Sequence, residues 1–277
     1  MAITAQDLSK LRKQTGAGMM DCRKALNEAA GDFELAIDIL RKKGGKLFAA
    51  RAEREANEGA VFTRVNKNNS EAILLALNCE TDFVAKNASF QELGATIIDV
   101  AFQHKPTTLD DLYQLEIDGV TIHDTIVSFI GAIGEKITIG AYELLLSDVV
   151  ISYIHSGNTL GVLVGLKGAK GQNVLDAGRD VAMQIAAMNP IAVDKDGVDT
   201  TTIEKELVIA REKAIAEGRP ETILKKLAQA KLNKFFQERT LLQQAFVKNN
   251  KVTIAAYLES VASGLTVTDF KRFSVGG

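Results

Sequence analysis

Ala72-Ile73-Leu74-Leu75-Ala76-Leu77, closely followed by Cys79-Glu80-Thr81-Asp82-Phe83-Val84-Ala85-Lys86, decides the fold class. The first six residues form a continuous apolar run of strand length. Upstream, Ala60-Val61-Phe62-Thr63-Arg64-Val65 reads as a partner strand, with Asn66-Lys67-Asn68-Asn69-Ser70 as the turn between them. Downstream, a helix-like segment extends from about Ser89 to Phe102. The second run therefore lies where strand gives way to helix, and it sets an acid beside a large aromatic. Two readings of it stay open. Thr81 or Asp82 can cap a helix while Phe83 fills a local core, or a loop on a rigid scaffold presents Asp82 and Phe83 to a partner.

The same order recurs further along. Val149-Val150-Ile151-Ser152-Tyr153-Ile154 leads through His155-Ser156-Gly157-Asn158 into Leu160–Leu166, and a helical pattern follows from about Val174 to Met188. Hairpin, loop and helix twice over imply two related α+β halves, each burying one sheet face beneath helices.

Residues 1 to about 55 read as a small helical unit and a linker. Thr4 with Asp7 forms an N-cap, and Ile3 and Leu8 occupy the positions of a hydrophobic staple. The first helix is expected to stop near Thr15-Gly16. Met19, Cys22, Leu26 and Ala29 share a face of a second helix. Gly31 ends that helix, Asp32 caps a third, and Gly44-Gly45 is expected to end the third. The polar, alanine-rich stretch from Lys42 to Glu58 is expected to be a linker.

Between Thr201 and Thr240, Ile203, Leu207, Ala210 and Ala214 mark one amphipathic helix. Leu224, Leu227, Leu232 and Phe235 mark another, with Gly218-Arg219-Pro220 as the break. An antiparallel helical hairpin is expected there. Its nine basic and six acidic residues fit a solvated surface better than a nucleic-acid groove. Thr253 to Val261 reads as helix and Val267 to Val275 as a last strand.

Bulk properties restrict the function. The formal net charge is −2 from 33 basic and 35 acidic residues, so no stable DNA binding is expected. Cys22 and Cys79 lie in different segments, and His104, His123 and His155 lie apart, which leaves no metal half-site. Gly165-Leu166-Lys167-Gly168-Ala169-Lys170-Gly171 is glycine-rich but lacks the phosphate-loop pattern. No nucleophile, base and orienting group assemble. Neither an enzyme, a bound cofactor nor a metal is expected, and no membrane span or secretion signal is read.

Several motifs resemble the bacterial translation elongation factor Ts family. Leu11-Arg12-Lys13-Gln14-Thr15-Gly16-Ala17-Gly18-Met19-Met20-Asp21-Cys22-Arg23-Lys24-Ala25-Leu26 is the clearest, continued by Ala30-Gly31-Asp32 and Leu40–Gly44. Cys79–Lys86 is the second, and His155-Ser156-Gly157 with Gly161–Val164 is the third. The resemblance implies a ubiquitin-associated-like three-helix bundle (1–55), a core N-subdomain (56–135), and a core C-subdomain (136–277) carrying a coiled-coil insertion at about 200–240. It implies a cytoplasmic guanine-nucleotide exchange factor whose partner is elongation factor Tu, in GDP-bound and nucleotide-free states. Asp82 and Phe83, flanked by Thr81 and Val84, match the family's intruding pair. Arg12, Met19 and Met20 match contacts to the nucleotide-binding domain of Tu, and His155 matches a contact to a distal domain. Some relatives self-associate through the hairpin. Others continue into a further C-terminal module, so that contact is expected to be missing or compensated here.

Overall fold

The computed structural model describes residues 3–218 and 220–277; Arg219, in the expected break of the helical hairpin, lies outside them. The protein is α+β. Three helices open it: α1 (Ala5–Thr15), α2 (Met19–Glu28) and α3 (Phe33–Ala50). Thr4 accepts the Asp7 N–H at 3.2 Å while Asp7 accepts the Thr4 N–H at 3.0 Å, a reciprocal cap that fixes where α1 begins. Gly16 closes it with φ 65°, a left-handed conformation that favours glycine. Leu11, Ala17, Cys22, Ala25, Leu26, Ala29 and Ala36 form a small core, with Ile3 and Leu8 packed against its edge.

Helix α3 overturns one expectation. It does not end at Gly44-Gly45 but runs on to Ala50, through the first half of the stretch read as a linker. The reason lies in a distant helix, α7 (Ile122–Ile133). A Cβ added at Gly44 would sit 2.7 Å from the Val127 carbonyl oxygen, and one added at Gly131 would sit 3.1 Å from the Gly44 Cα. Glycine is present because two helix backbones cross there, not because a helix stops. Leu47 and Phe48 on the extended turns then pack against the main core.

That core is built on β1 (Glu58–Val65), β2 (Glu71–Cys79) and β5 (Thr138–Leu146), an antiparallel sheet in the order β1-β2-β5. Between β2 and β5 lie α4 (Asp82–Ala85), α5 (Ala88–His104), α6 (Leu109–Gln114), the small hairpin β3 (Glu116–Ile117) and β4 (Val120–Thr121), and α7. Strand β5 begins beyond residue 135, where the sequence divides the halves, yet Ala72 pairs with Leu145 and Leu74 with Glu143. The first sheet thus takes its third strand from across that division.

A second sheet, in the order β10-β7-β6, joins β6 (Val149–Ile154), β7 (Leu160–Lys167) and β10 (Thr266–Ser274). It is covered by α8 (Leu175–Met188) and α11 (Ile254–Val261), the latter reached through the short hairpin β8 (Ala245–Phe246) and β9 (Asn249–Thr253). The two sheets meet face to face through Val61, Ala72, Leu74, Ala76, Val150 and Leu163. Alternate residues of β2, Ile73, Leu75, Leu77 and Cys79, face the opposite way into the helices. The layers run helix, sheet, sheet, helix, and both halves match the expected hairpin–loop–helix order.

Two further helices, α9 (Thr200–Ala216) and α10 (Glu221–Arg239), pack side by side through Ala210, Ala214, Leu224, Ala228 and Leu232. None of these residues joins the cores beneath the sheets. The chain enters and leaves this pair at one neck. Ile191 N–H donates to Arg239 O, and Leu241 and Leu242 N–H donate to Ala192 O and Val193 O, each at 2.9 Å.

The two glycines of α3 separate crossing from propensity. A Cβ at Gly45 meets nothing within 4 Å. Gly45→Ala is expected to stabilise the fold by about 0.5–1 kcal/mol through helix propensity. Gly44→Ala is expected to destabilise it by about 1–2 kcal/mol despite the same propensity gain, because the Val127 carbonyl must move. Urea denaturation of both variants checks the opposite signs.

Candidate functional site

The corner after β2 is built by short-range capping, by one distant carboxylate, Glu135, and by distant donors that converge on its own Glu80. Thr81 is the N-cap of α4: its Oγ1 accepts the Val84 N–H at 3.4 Å. The same hydroxyl donates to Glu135 Oε1 at 2.7 Å, and the Thr81 N–H donates to Glu135 Oε2 at 3.0 Å. Glu80, one residue earlier, receives Arg51 Nη1 and Arg54 Nη1 on its two oxygens, both at 2.9 Å. The Lys136 N–H adds a third bond to Glu80 at 2.7 Å. Burial pushes the Glu80 carboxyl up, but the Lys136 N–H and the two guanidinium groups outweigh it and hold the group below its ordinary 4.5. Burial, reinforced by Glu135, pushes the Cys79 thiol up to about 12, so it is a core side chain and not a nucleophile.

Helix α4 sorts its four residues by direction. Val84 and Ala85 turn into the main core. Phe83 points outward and is 83% exposed, which excludes the reading that it fills a local core. Asp82 is half-exposed beside it and accepts a bond from Lys86 Nζ at 2.6 Å. That bond keeps the Asp82 carboxyl below its usual range and raises Lys86 in return. Thr81 and Val84 therefore differ from their neighbours: one is tied to Glu135 and the other anchors the helix from beneath. Only Asp82 and Phe83 are presented.

The other candidates lie on different elements. Arg12 is exposed on α1, and Met19 and Met20 are exposed on the first turn of α2. Met19 shares the sequence spacing of the apolar stripe, yet it lies outside the small core that Cys22, Leu26 and Ala29 fill. His155 stands at the tip between β6 and β7, its Nδ1 2.8 Å from the Tyr153 hydroxyl. That tip is fixed to the first sheet by the Val61 N–H, which donates to Asn158 O at 2.7 Å. No group of three His, Cys, Asp or Glu side chains converges on a metal position among the described residues. No helix there is long and apolar enough to cross a membrane.

A family model described as Elongation factor TS matches residues 80–277, starting at the first residue after β2. The chain belongs to the elongation factor Ts family. It is 57% identical over 276 residues to elongation factor Ts of Amoebophilus asiaticus, covering 100% of each chain. It is 50% identical over 274 residues to elongation factor Ts of Cytophaga hutchinsonii, and 39% identical over 284 residues to that of Prosthecochloris aestuarii. Each of these alignments covers 99% of both chains. Family membership places the protein in translation, at the elongation step of protein biosynthesis.

Within this elongation factor Ts relative, the supporting residues were the ones sequence reading missed. Arg51, Arg54, Glu135 and Lys136 lie far in sequence from Thr81, and nothing local marks them. The one available signal is Gly134, which ends α7 in a left-handed conformation and forces a fixed exit just before Glu135.

The Glu80 hub gives a pH test. Its folded pKa is depressed, so its contribution is fully present above the ordinary carboxylate value. It is lost as pH falls through the folded value. Glu80→Gln is expected to cost about 1–3 kcal/mol near neutral pH and to flatten the acid limb of the stability curve. Urea midpoints taken from about pH 7 down to about pH 3 check both effects.

Proposed function

We propose that the chain is a guanine-nucleotide exchange factor for elongation factor Tu, acting in the cytoplasm without covalent chemistry. The observation that carries this reading is Phe83, outward on a capped turn beside an ionised Asp82. The factor binds Tu carrying GDP, and Phe83 wedges between partner side chains. Full desolvation of such a ring supplies about 1.5–3 kcal/mol, available only in the complex. Asp82 leaves Lys86 and disturbs the magnesium shell, whose octahedral geometry tolerates little displacement. Thr81 and Val84 hold the pair from behind.

The first three helices act as a ubiquitin-associated-like bundle and dock on the nucleotide-binding domain through Arg12, Met19 and Met20. Methionine moulds to a partner groove without strict shape demands. His155 touches a distal domain of Tu. The α9–α10 pair is the coiled-coil insertion of the C-subdomain and provides a surface for self-association. Linkage sets the cycle: a factor that lowers GDP affinity is itself bound less tightly when GDP is present. It speeds exchange by stabilising nucleotide-free Tu and leaves the overall nucleotide equilibrium unchanged. GTP then binds and releases it.

The test is stopped-flow release of a fluorescent GDP from Tu, chased with unlabelled GDP. Acceleration by catalytic amounts of factor is expected. Tight association without acceleration would replace this reading with a passive adaptor. Phe83→Ala is expected to slow stimulated release by about tenfold or more, the rate equivalent of the lost burial. Its far-UV circular dichroism should match the parent. Unchanged release by folded Phe83→Ala protein would remove the wedge.

A further inference from the structure

Two consecutive residues after α7 and two consecutive residues after β2 hold each other in a crossed arrangement. Glu135 accepts both the N–H and the hydroxyl of Thr81, at 3.0 and 2.7 Å. Its neighbour Lys136 gives its N–H to Glu80, the neighbour of Thr81, at 2.7 Å. The same Lys136 sends its Nζ to the carbonyls of Ala52 and Arg54, at 2.6 and 2.8 Å. Arg51 and Arg54 close the ring by donating to Glu80. Residues 51–54 continue directly from α3, the helix that begins in the N-terminal bundle and crosses α7 at Gly44 and Gly131.

We infer that Glu135 is a positioning residue for the Asp82–Phe83 pair, and that its crossed clamp with Glu80 and Lys136 joins this pair rigidly to α3. Three features support the assignment. Thr81 is the N-cap of a helix of only four residues, too short to hold its own geometry in water. Its hydroxyl donates to Glu135 and accepts from the Val84 N–H at once, and the two bonds together fix its rotamer. Phe83 makes no core contact that would otherwise orient it, whereas the backbone on either side of it is held at Thr81 and Val84. A wedge transmits force only when its base is fixed, and Glu135 fixes the base. Through residues 51–54 the clamp also sets the corner relative to the bundle, so the two surfaces meet a partner as one body.

The part of this inference concerning exchange rests on the function proposed above, and the test separates the two. In the free protein, Glu135→Gln replaces one acceptor oxygen by a donor that faces Thr81. Deuterium uptake by the segment 80–87 is expected to rise several-fold, with the second sheet unchanged. Thr81→Val should do the same, and Thr81→Ser, which keeps the hydroxyl, should match the parent. Unchanged uptake in Glu135→Gln would overturn the positioning role, whatever the protein does to nucleotides.

With Tu, Glu135→Gln is expected to lower the saturating GDP-release rate about tenfold while the half-saturating concentration moves by about twofold or less. Combined with Phe83→Ala, it should add little, because both changes act through one side chain. A loss that simply adds to that of Phe83→Ala, or a weaker half-saturation at full maximal rate, would overturn the link to Phe83. If the parent protein accelerates nothing, the exchange reading falls, and the uptake experiment still decides whether Glu135 holds the corner.

Discussion

Every residue of β2 is buried, and the strand serves two cores at once. Ile73, Leu75, Leu77 and Cys79 face α5 and α7, while Ala72, Leu74 and Ala76 face the second sheet. A slip of one residue would exchange these sets, placing Ala72 and Ala76 under the helices and Ile73, Leu75 and Leu77 between the sheets. The size alternation therefore fixes the register, and through it the spacing of the layers. Ala72 and Ala76, on either side of Leu74, let the sheets approach, and Gly161 of β7, packed against Val61, continues that closeness on the other sheet. The strand shared by these two cores is also the strand that delivers Glu80 and Thr81.

The corner inherits its rigidity from this arrangement. A single exposed aromatic on a protein surface carries little information, because most surfaces contain such groups. Phe83 differs in what surrounds it. The residue before α4 is tied to Glu135, the residue after Phe83 is buried, and Asp82 is held by Lys86 across one turn. Exposure and fixity rarely coincide on so short a segment. Their combination is what a docking side chain requires, since little conformational entropy is then left to lose on binding.

Much of this was legible in the sequence because the signals were local. Thr4, Asp7, Gly16 and Asp32 mark helix ends by capping chemistry that works within one turn, and each stands where such chemistry predicts. Both hairpins were readable from apolar runs separated by turn residues. Three features were not. The meaning of Gly44 depends on Val127 and Gly131 of α7, more than 80 positions away, since a glycine that ends a helix and one that admits a neighbour look alike in sequence. The pairing of β5 with β2 spans the apparent boundary between halves, and strand order is a non-local property. Phe83 could have been a core residue until its neighbours were placed; Val84, beside it, took the inward position instead.

The paired helices α9 and α10 leave and rejoin the body at a neck closed by backbone bonds between 191–193 and 239–242. Topologically they are a side branch. Neither sheet's register passes through them, and the cores beneath the sheets draw nothing from their buried residues. Closing a longer excursion at a fixed neck costs only about 0.6 kcal/mol per doubling of its length. The reach of the branch is thus an evolutionary variable uncoupled from the scaffold. Descendants can lengthen, shorten or reshape it as an outrigger while the body that fixes Phe83 stays the same.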